Sequence, residues 1–380
     1  MTVSQCLRSL FHGNVLFCAA SLLCGSPPAH ANDVWIGQSA ELSGEASAKD
    51  NKAGAEAYFN AVNARGGVNG NKIRLISMDD KRDPKLALEN TRILIDEKKV
   101  VALFGYRSTP TVQAVIPLIQ ERKMPLVAPV TGAQALHGPQ SDYVFNLRAS
   151  YGEEAYKIVQ QIATMGISRV AVLYQDDTFG RELLAGFERG IKERKLTTVA
   201  TANYDRKDMK VDAAVARIVA ANPQAVLMAC APRACAQFVK TVRNQGQHPQ
   251  FITVSNVNTQ EFFTALSSDC RGVAISQVVP HPGNVGVPVV QEFHLARKAM
   301  AETAPPLNYA ALEGFIGAKL LVEGLKRASD SPSPAKLAAA FDNVKELDLG
   351  GLTVRYSRED RVGSRFVELT VLTQDCIIRR

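Results

Sequence analysis

No internal run of this sequence reaches the ~20 consecutive apolar residues that a membrane-spanning helix requires. Lysine and arginine form no block and are not interleaved with aromatics. The formal net charge of +7, from 44 basic and 37 acidic residues, is therefore spread out, and a nucleic-acid partner has no footprint. The histidines and cysteines are scattered and fit no zinc-ligand spacing. Also missing are a G-x-S-x-G elbow, a G-x-x-x-x-G-K-S/T phosphate loop and a G-x-G-x-x-G turn after a strand. Asp79-Asp80 and Asp176-Asp177 are adjacent acids on extended chain, where neighbouring side chains face apart, so they read as loop caps or solvated charges. No repeat or low-complexity tract appears. Neither catalysis nor a cofactor or metal is called for.

What is present is a two-domain quantity of chain, 380 residues at 46% hydrophobic and 21% charged, which suits a globular protein with a real core. Residues 1–31 are expected to stand apart from the fold. Arg8, the apolar stretch Val15 to Leu23, Pro27-Pro28 and Ala29-His30-Ala31 make an export signal cleaved after Ala31, which sends the protein to the periplasm. A lipoprotein anchored at Cys24 is the competing reading, disfavoured by the bulky Leu23. Cys6, Cys18 and Cys24 leave with that segment. Of the four cysteines that stay, Cys230 and Cys235 are close enough to bridge across a turn, whereas Cys270 and Cys376 read as two buried thiols.

The remaining chain alternates strand and helix. Strands are expected at Val34–Gln38, Ile73–Met78, Val100–Phe104, Pro125–Ala128 and Tyr143–Leu147, and then from Val170–Tyr174 through Val273–Val278. Helices are read between them, with later ones at Asn308–Arg327 and Ser333–Phe341 and extended chain at Leu352–Tyr356 and Phe366–Ile378. Two βαβα series in succession mean an α/β protein with two parallel sheets, each covered by helices. The breaks near Leu147–Gly152 and Pro280–Pro288 divide the chain. The first lobe takes 32–149 and 279–354, and the second takes 150–278 and 355–380.

Ligands of open α/β sheets sit beyond the carboxyl ends of the strands. Those ends carry Ser43, Tyr106, Ser108, Thr109, Val130, Thr131, Gly132, Tyr151, Asp177, Phe179, Tyr204 and Asn256, a hydroxylic, aromatic and amidic set suited to a small polar molecule. The stretch VVALFGYRSTPT (100–111) is the most informative. A buried strand runs into hydroxyls and Pro110, the signature of a helix start whose N–H groups attract an anion, and Arg107 stands beside it.

Several segments together, in order and spacing, resemble the leucine/isoleucine/valine-binding group of periplasmic substrate-binding proteins of ABC transporters. They include IGQSAELSG, AEAYFNAVNARGGVNGNKIRL, DDKRDPKLALENTRILI, VVALFGYRSTPT, MPLVAPVTGA, VFNLRASY, RVAVLYQDDTFGRELL and LNYAALEGFIGAKLLVEGL. The resemblance covers essentially the whole chain after residue 31. It implies the type I periplasmic binding fold, two Rossmann-like lobes joined by a three-stranded hinge, closing over a solute that is handed to membrane permease subunits. A monomer is expected. Thr109, with Ser108, and Val130 to Gly132, with Thr131, match the positions that hold a ligand carboxylate, and Phe179 matches an aromatic of the second lobe.

The acids that meet an α-ammonium in this group match Tyr151-Gly152-Glu153-Glu154 and Ser255-Asn256-Val257-Asn258, the second of which has no acid. Burying an ammonium without a partner costs several kcal/mol. An organic or aromatic acid, or an amide, therefore competes with an amino acid as the solute. A ligand sensor of the same fold and an exported enzyme on a related scaffold are the other functional readings.

Overall fold

The alternation read from the sequence closes into two separate sheets. The structure, a computed structural model, describes residues 33–44, 46–137, 142–357 and 360–379. The export signal read over residues 1–31 lies outside them.

The first lobe begins with β1 (Val34–Ala40), α1 (Ala46–Ala64), β2 (Ile73–Asp79), α2 (Pro84–Arg92), β3 (Ala102–Phe104), α3 (Thr109–Arg122), β4 (Leu126–Val127) and β5 (Val144–Phe145). A π-helical turn, Ile93–Glu97, extends α2. These strands form a parallel five-stranded sheet ordered β2-β1-β3-β4-β5. The chain then crosses into α4 (Tyr151–Thr164), β6 (Arg169–Gln175), α5 (Thr178–Glu193), β7 (Thr197–Tyr204), α6 (Asp212–Ala220), β8 (Ala225–Ala229), α7 (Pro232–Asn244), β9 (Gln250–Thr253), α8 (Gln260–Leu266) and β10 (Ala274–Gln277). It returns to the first lobe for α9 (Pro288–Met300), α10 (Tyr309–Ala328), α11 (Pro334–Asp342) and the small ladder of β11 (Leu347–Asp348) and β12 (Thr353–Val354). A third passage ends in β13 (Glu368–Leu372) and β14 (Ile378–Arg379). The second sheet is ordered β14-β13-β10-β9-β8-β6-β7, and β13 and β14 pair antiparallel at its edge.

Two differences from the sequence reading have simple causes. The helix α9 was not expected. Its signal is nevertheless present, because Pro288 sits at a helix start and Val289, Val290, Phe293 and Ala296 make one buried face. A boundary after residue 354 puts Tyr356 in the second lobe, but its ring packs on Phe145 and Phe341 in the core of the first, at 5.7 and 5.9 Å.

The crossings are stitched together around Asn146. Its side-chain amide donates to the carbonyls of Leu136 and Arg361, each at 2.9 Å, while its backbone carbonyl accepts from Tyr356 Oη at 2.6 Å. Ser364 N–H donates to Leu147 O at 3.1 Å. One apolar cluster runs through both lobes, from Leu103, Val112 and Ile119 to Ile158, Phe187 and Leu227.

In the first lobe α1 crosses α10 at glycines. A Cβ at Gly314 would lie 1.9 Å from Asn51 O, and one at Gly54 would lie 1.8 Å from Ala311 O. Backbone meets backbone there, so neither side can yield. Gly314→Ala is expected to destabilise by about 3 kcal/mol through overpacking. Helix propensity alone predicts a gain of about 1 kcal/mol for the same change. Urea denaturation reads the sign, and a gain would dismiss the tight crossing.

Candidate functional site

The strand ends of both lobes face a cavity of about 70 Å³. From the first lobe it is reached by the start of α3. Ser108 precedes that helix at φ 75°, a conformation that costs a residue with a Cβ about 1–3 kcal/mol, and no side chain caps the helix. Ser108, Thr109 and Pro110 line the cavity. The helix dipole and the uncapped first turn thus favour an anion at this wall.

Behind this turn three hydroxyls are joined. Thr109 Oγ1 lies 2.7 Å from Thr131 Oγ1, Thr131 Oγ1 lies 3.3 Å from Tyr151 Oη, and Tyr151 is also hydrogen-bonded to Thr109. All three residues are buried. Burial pushes the Tyr151 phenol up, and its hydroxyl accepts from Thr131 Oγ1. The Tyr151 backbone N–H donates to Gly132 O at 2.7 Å, which ties the start of α4 to the loop after β4. Gly132 permits this approach, since a Cβ there would meet Tyr151 N at 2.8 Å.

The second lobe contributes Asp177, Phe179 and Gln175. Asp177 caps α5, accepting from Gly180 N–H at 3.1 Å and from Gln175 Nε2 at 2.6 Å, with Arg206 at 3.8 Å. Tyr204 fixes Gln175 from behind: its hydroxyl donates to Gln175 Oε1 at 2.9 Å and accepts from Ala231 N–H at 2.8 Å. Phe179 meets the Tyr151 ring edge-on at 5.3 Å. Asn256 lines the wall and donates to Cys230 O at 3.0 Å, next to the Cys230–Cys235 disulfide.

The electrostatic centre is Arg148, which the sequence reading did not single out. It is 3% exposed on its side chain, and its Nη2 donates to Glu154 Oε1 at 3.2 Å and to Ser255 Oγ. Its Nη1 lies 3.6 Å from Glu313 Oε1 on α10, so one guanidinium links the two lobes. Glu154 is wholly buried and also accepts from Ser255 N–H at 2.9 Å and Ser276 Oγ at 2.6 Å. Burial opposes the charge on Arg148, but Glu313 and Glu154 outweigh it and move its pKa up. Burial raises the Glu313 carboxyl against the pull of Arg148 and Arg107.

Of the residues expected at the site, Ser108, Thr109, Val130, Tyr151, Asp177, Phe179 and Asn256 line the cavity. Thr131, Gly132 and Tyr204 stand behind them as supports. Tyr106 is turned into the core at 1% exposure, with its hydroxyl 3.0 Å from Thr91 Oγ1. Ser43 is exposed and hydrogen-bonds Asp79, bordering a separate groove with Glu41 and Arg82. An acid is present where the loop around Asn256 offers none, because Glu313 arrives from the other lobe. Its signal in the sequence is a lone carboxylate among the buried Leu312, Phe315 and Ile316 of α10.

Comparison with known proteins gives the same architecture. The model of the family described as periplasmic binding protein matches residues 33–375. A Leu/Ile/Val-binding protein homolog 3 of Brucella melitensis is 21% identical over 335 residues, covering 87% of this chain and 89% of that one. The crystal structure of a substrate-binding periplasmic protein from Ralstonia solanacearum is 33% identical with a TM-score of 0.84, covering 91% of this chain and 99% of that one. A branched-chain amino acid ABC transporter structure from Thermus thermophilus with bound valine shares the fold at 16% identity, with a TM-score of 0.82 and coverage of 92% and 96%. With two Rossmann-like lobes, three chain crossings and a match along nearly all of the described residues, the chain belongs to the periplasmic binding protein family and has its type I fold.

Proposed function

We propose that the protein is an extracytoplasmic solute-binding protein which captures a small carboxylate-bearing solute by closing its two lobes and delivers it to an ABC permease. The observation that carries this reading is the uncapped start of α3, opening on a cavity walled by both lobes. Export through the segment before Asn32 belongs to the same proposal, as does delivery, since a captured solute needs a membrane partner to be used. Similar proteins carry the name Leu/Ile/Val-binding, and the similar Thermus structure holds valine. Amino acids therefore belong in the test set beside aliphatic and aromatic acids and amides.

Native mass spectrometry of the freshly purified protein, followed by thermal shift against that panel, tests the reading. A flat response to every compound would overturn it. Thr109 supplies a sharper check. Thr109→Val is expected to weaken a carboxylate solute about tenfold, the loss of about 1.5 kcal/mol for one hydrogen bond to a charged group. Thr131 and Tyr151 keep each other as partners, so the melting temperature should hold. Unchanged affinity in calorimetry would move the carboxylate away from α3.

A further inference from the structure

The central cavity is small for a whole solute. Its 70 Å³ is about half of the ~150 Å³ that accommodates a benzene ring in a protein interior. A carboxylate and a few carbons fill it, so a larger solute has to leave it somewhere. Two of its lining residues, Tyr309 and Asn258, also line a second space, a groove of about 580 Å³ bordered by the end of the chain at Cys376 to Arg379. That groove is largely apolar. Leu307 and Ile377 stand on it 45% and 49% exposed, with Phe263 and Pro282 beside them.

The partition between the two spaces is thin. Asn258 is held by its side-chain amide to Gln277 Oε1 at 2.8 Å. Tyr309 is the first residue of α10, and its ring meets His281 edge-on at 5.7 Å. Asn308, the cap before it, is anchored separately to Asp50 at 2.8 Å, so the start of α10 is held independently of the Tyr309 ring.

We infer that the solute is an amphipathic carboxylate whose apolar tail passes Tyr309 and lies in the groove over Leu307 and Ile377. This rests on the reading that the cavity takes a carboxylate. The groove gives the tail a surface that otherwise faces water, and burying each methylene on it strengthens binding about fourfold, equivalent to about 0.8 kcal/mol.

Calorimetry with straight-chain carboxylates from propanoate to octanoate tests the inference on the full-length protein. Affinity is expected to rise about fourfold per methylene once the chain outgrows the cavity. Leu307→Ser and Ile377→Ser, neutral changes that add no repulsion for an anion, should each cost the longest acids about fivefold and leave the shortest unaffected. Short acids that bind with no dependence on chain length would overturn the tail site and keep the carboxylate cavity. Failure of every acid to bind would overturn both. A rising series untouched by the two serine variants would place the tail elsewhere. A change of oligomeric state in Leu307→Ser with the series intact would give the groove to a second copy of the chain and end the proposal.

Discussion

Replacing Cys270 and Cys376 together with alanine will lower the free energy of unfolding by about 4–5 kcal/mol, while the same change at Cys230 and Cys235 will cost about 2 kcal/mol. Both pairs are disulfides in the structure, separated by 106 and 5 residues respectively. A cross-link stabilises chiefly by restricting the unfolded chain, and the restriction grows with the logarithm of the loop it closes. The larger loop contains β10, the whole return through α9, α10 and α11, and the last passage into β13. It pins the terminal hairpin, an edge element of the second sheet, to the turn after α8. Urea denaturation without reductant measures both losses. Equal losses would show that native contacts of the bridges, not loop size, set their contribution.

The same pairs show what a sequence discloses. Five residues of separation make Cys230 and Cys235 neighbours under most local structures, so a bridge there can be anticipated. Nothing local brings Cys376 to Cys270. Their meeting depends on the chain leaving the second lobe, building half of the first, and coming back, and the expectation of two buried thiols fails for that reason. Strand–helix alternation was legible because apolar runs such as Val170–Leu173 and Ala225–Ala229 are buried on both faces and leave little doubt of a parallel sheet. The start of α3 was legible because its hydroxyls and Pro110 are local signals. Position at a strand end does not say which way a ring turns, and Tyr106 turns to Thr91 in the core. Arg148, Glu154 and Glu313 were the hardest to see. The partners lie 6 and 165 positions from Arg148, and a buried charge is recognisable only once its counter-charges are in place.

That cluster carries the second large effect. Arg148→Met will destabilise the protein by about 3–5 kcal/mol at neutral pH, a fall in melting temperature on the order of 5 °C for a chain of this size. Methionine replaces the volume of the side chain but leaves Glu154, wholly buried, and Glu313, 13% exposed on its side chain, without their shared cation. Ser255 and Ser276 still donate to Glu154, which softens the loss there, whereas Glu313 has burial raising its pKa and loses the nearest charge opposing that rise. In the variant the Glu313 carboxyl, raised by burial and no longer opposed by Arg148, titrates above the usual glutamate value of about 4.3. A folded pKa raised above the unfolded one gives stability that is present at low pH and is lost as pH rises through the folded value. The deficit of Arg148→Met against the parent should therefore shrink as pH falls from 7 towards 5. Glu154→Gln added to Arg148→Met should restore part of the loss at pH 7, since it removes one of the two stranded charges. A deficit that is constant across this pH range, with no rescue by Glu154→Gln, would mean that Arg148 acts through packing against Tyr151, whose ring lies 5.9 Å from its guanidinium carbon, and not through charge.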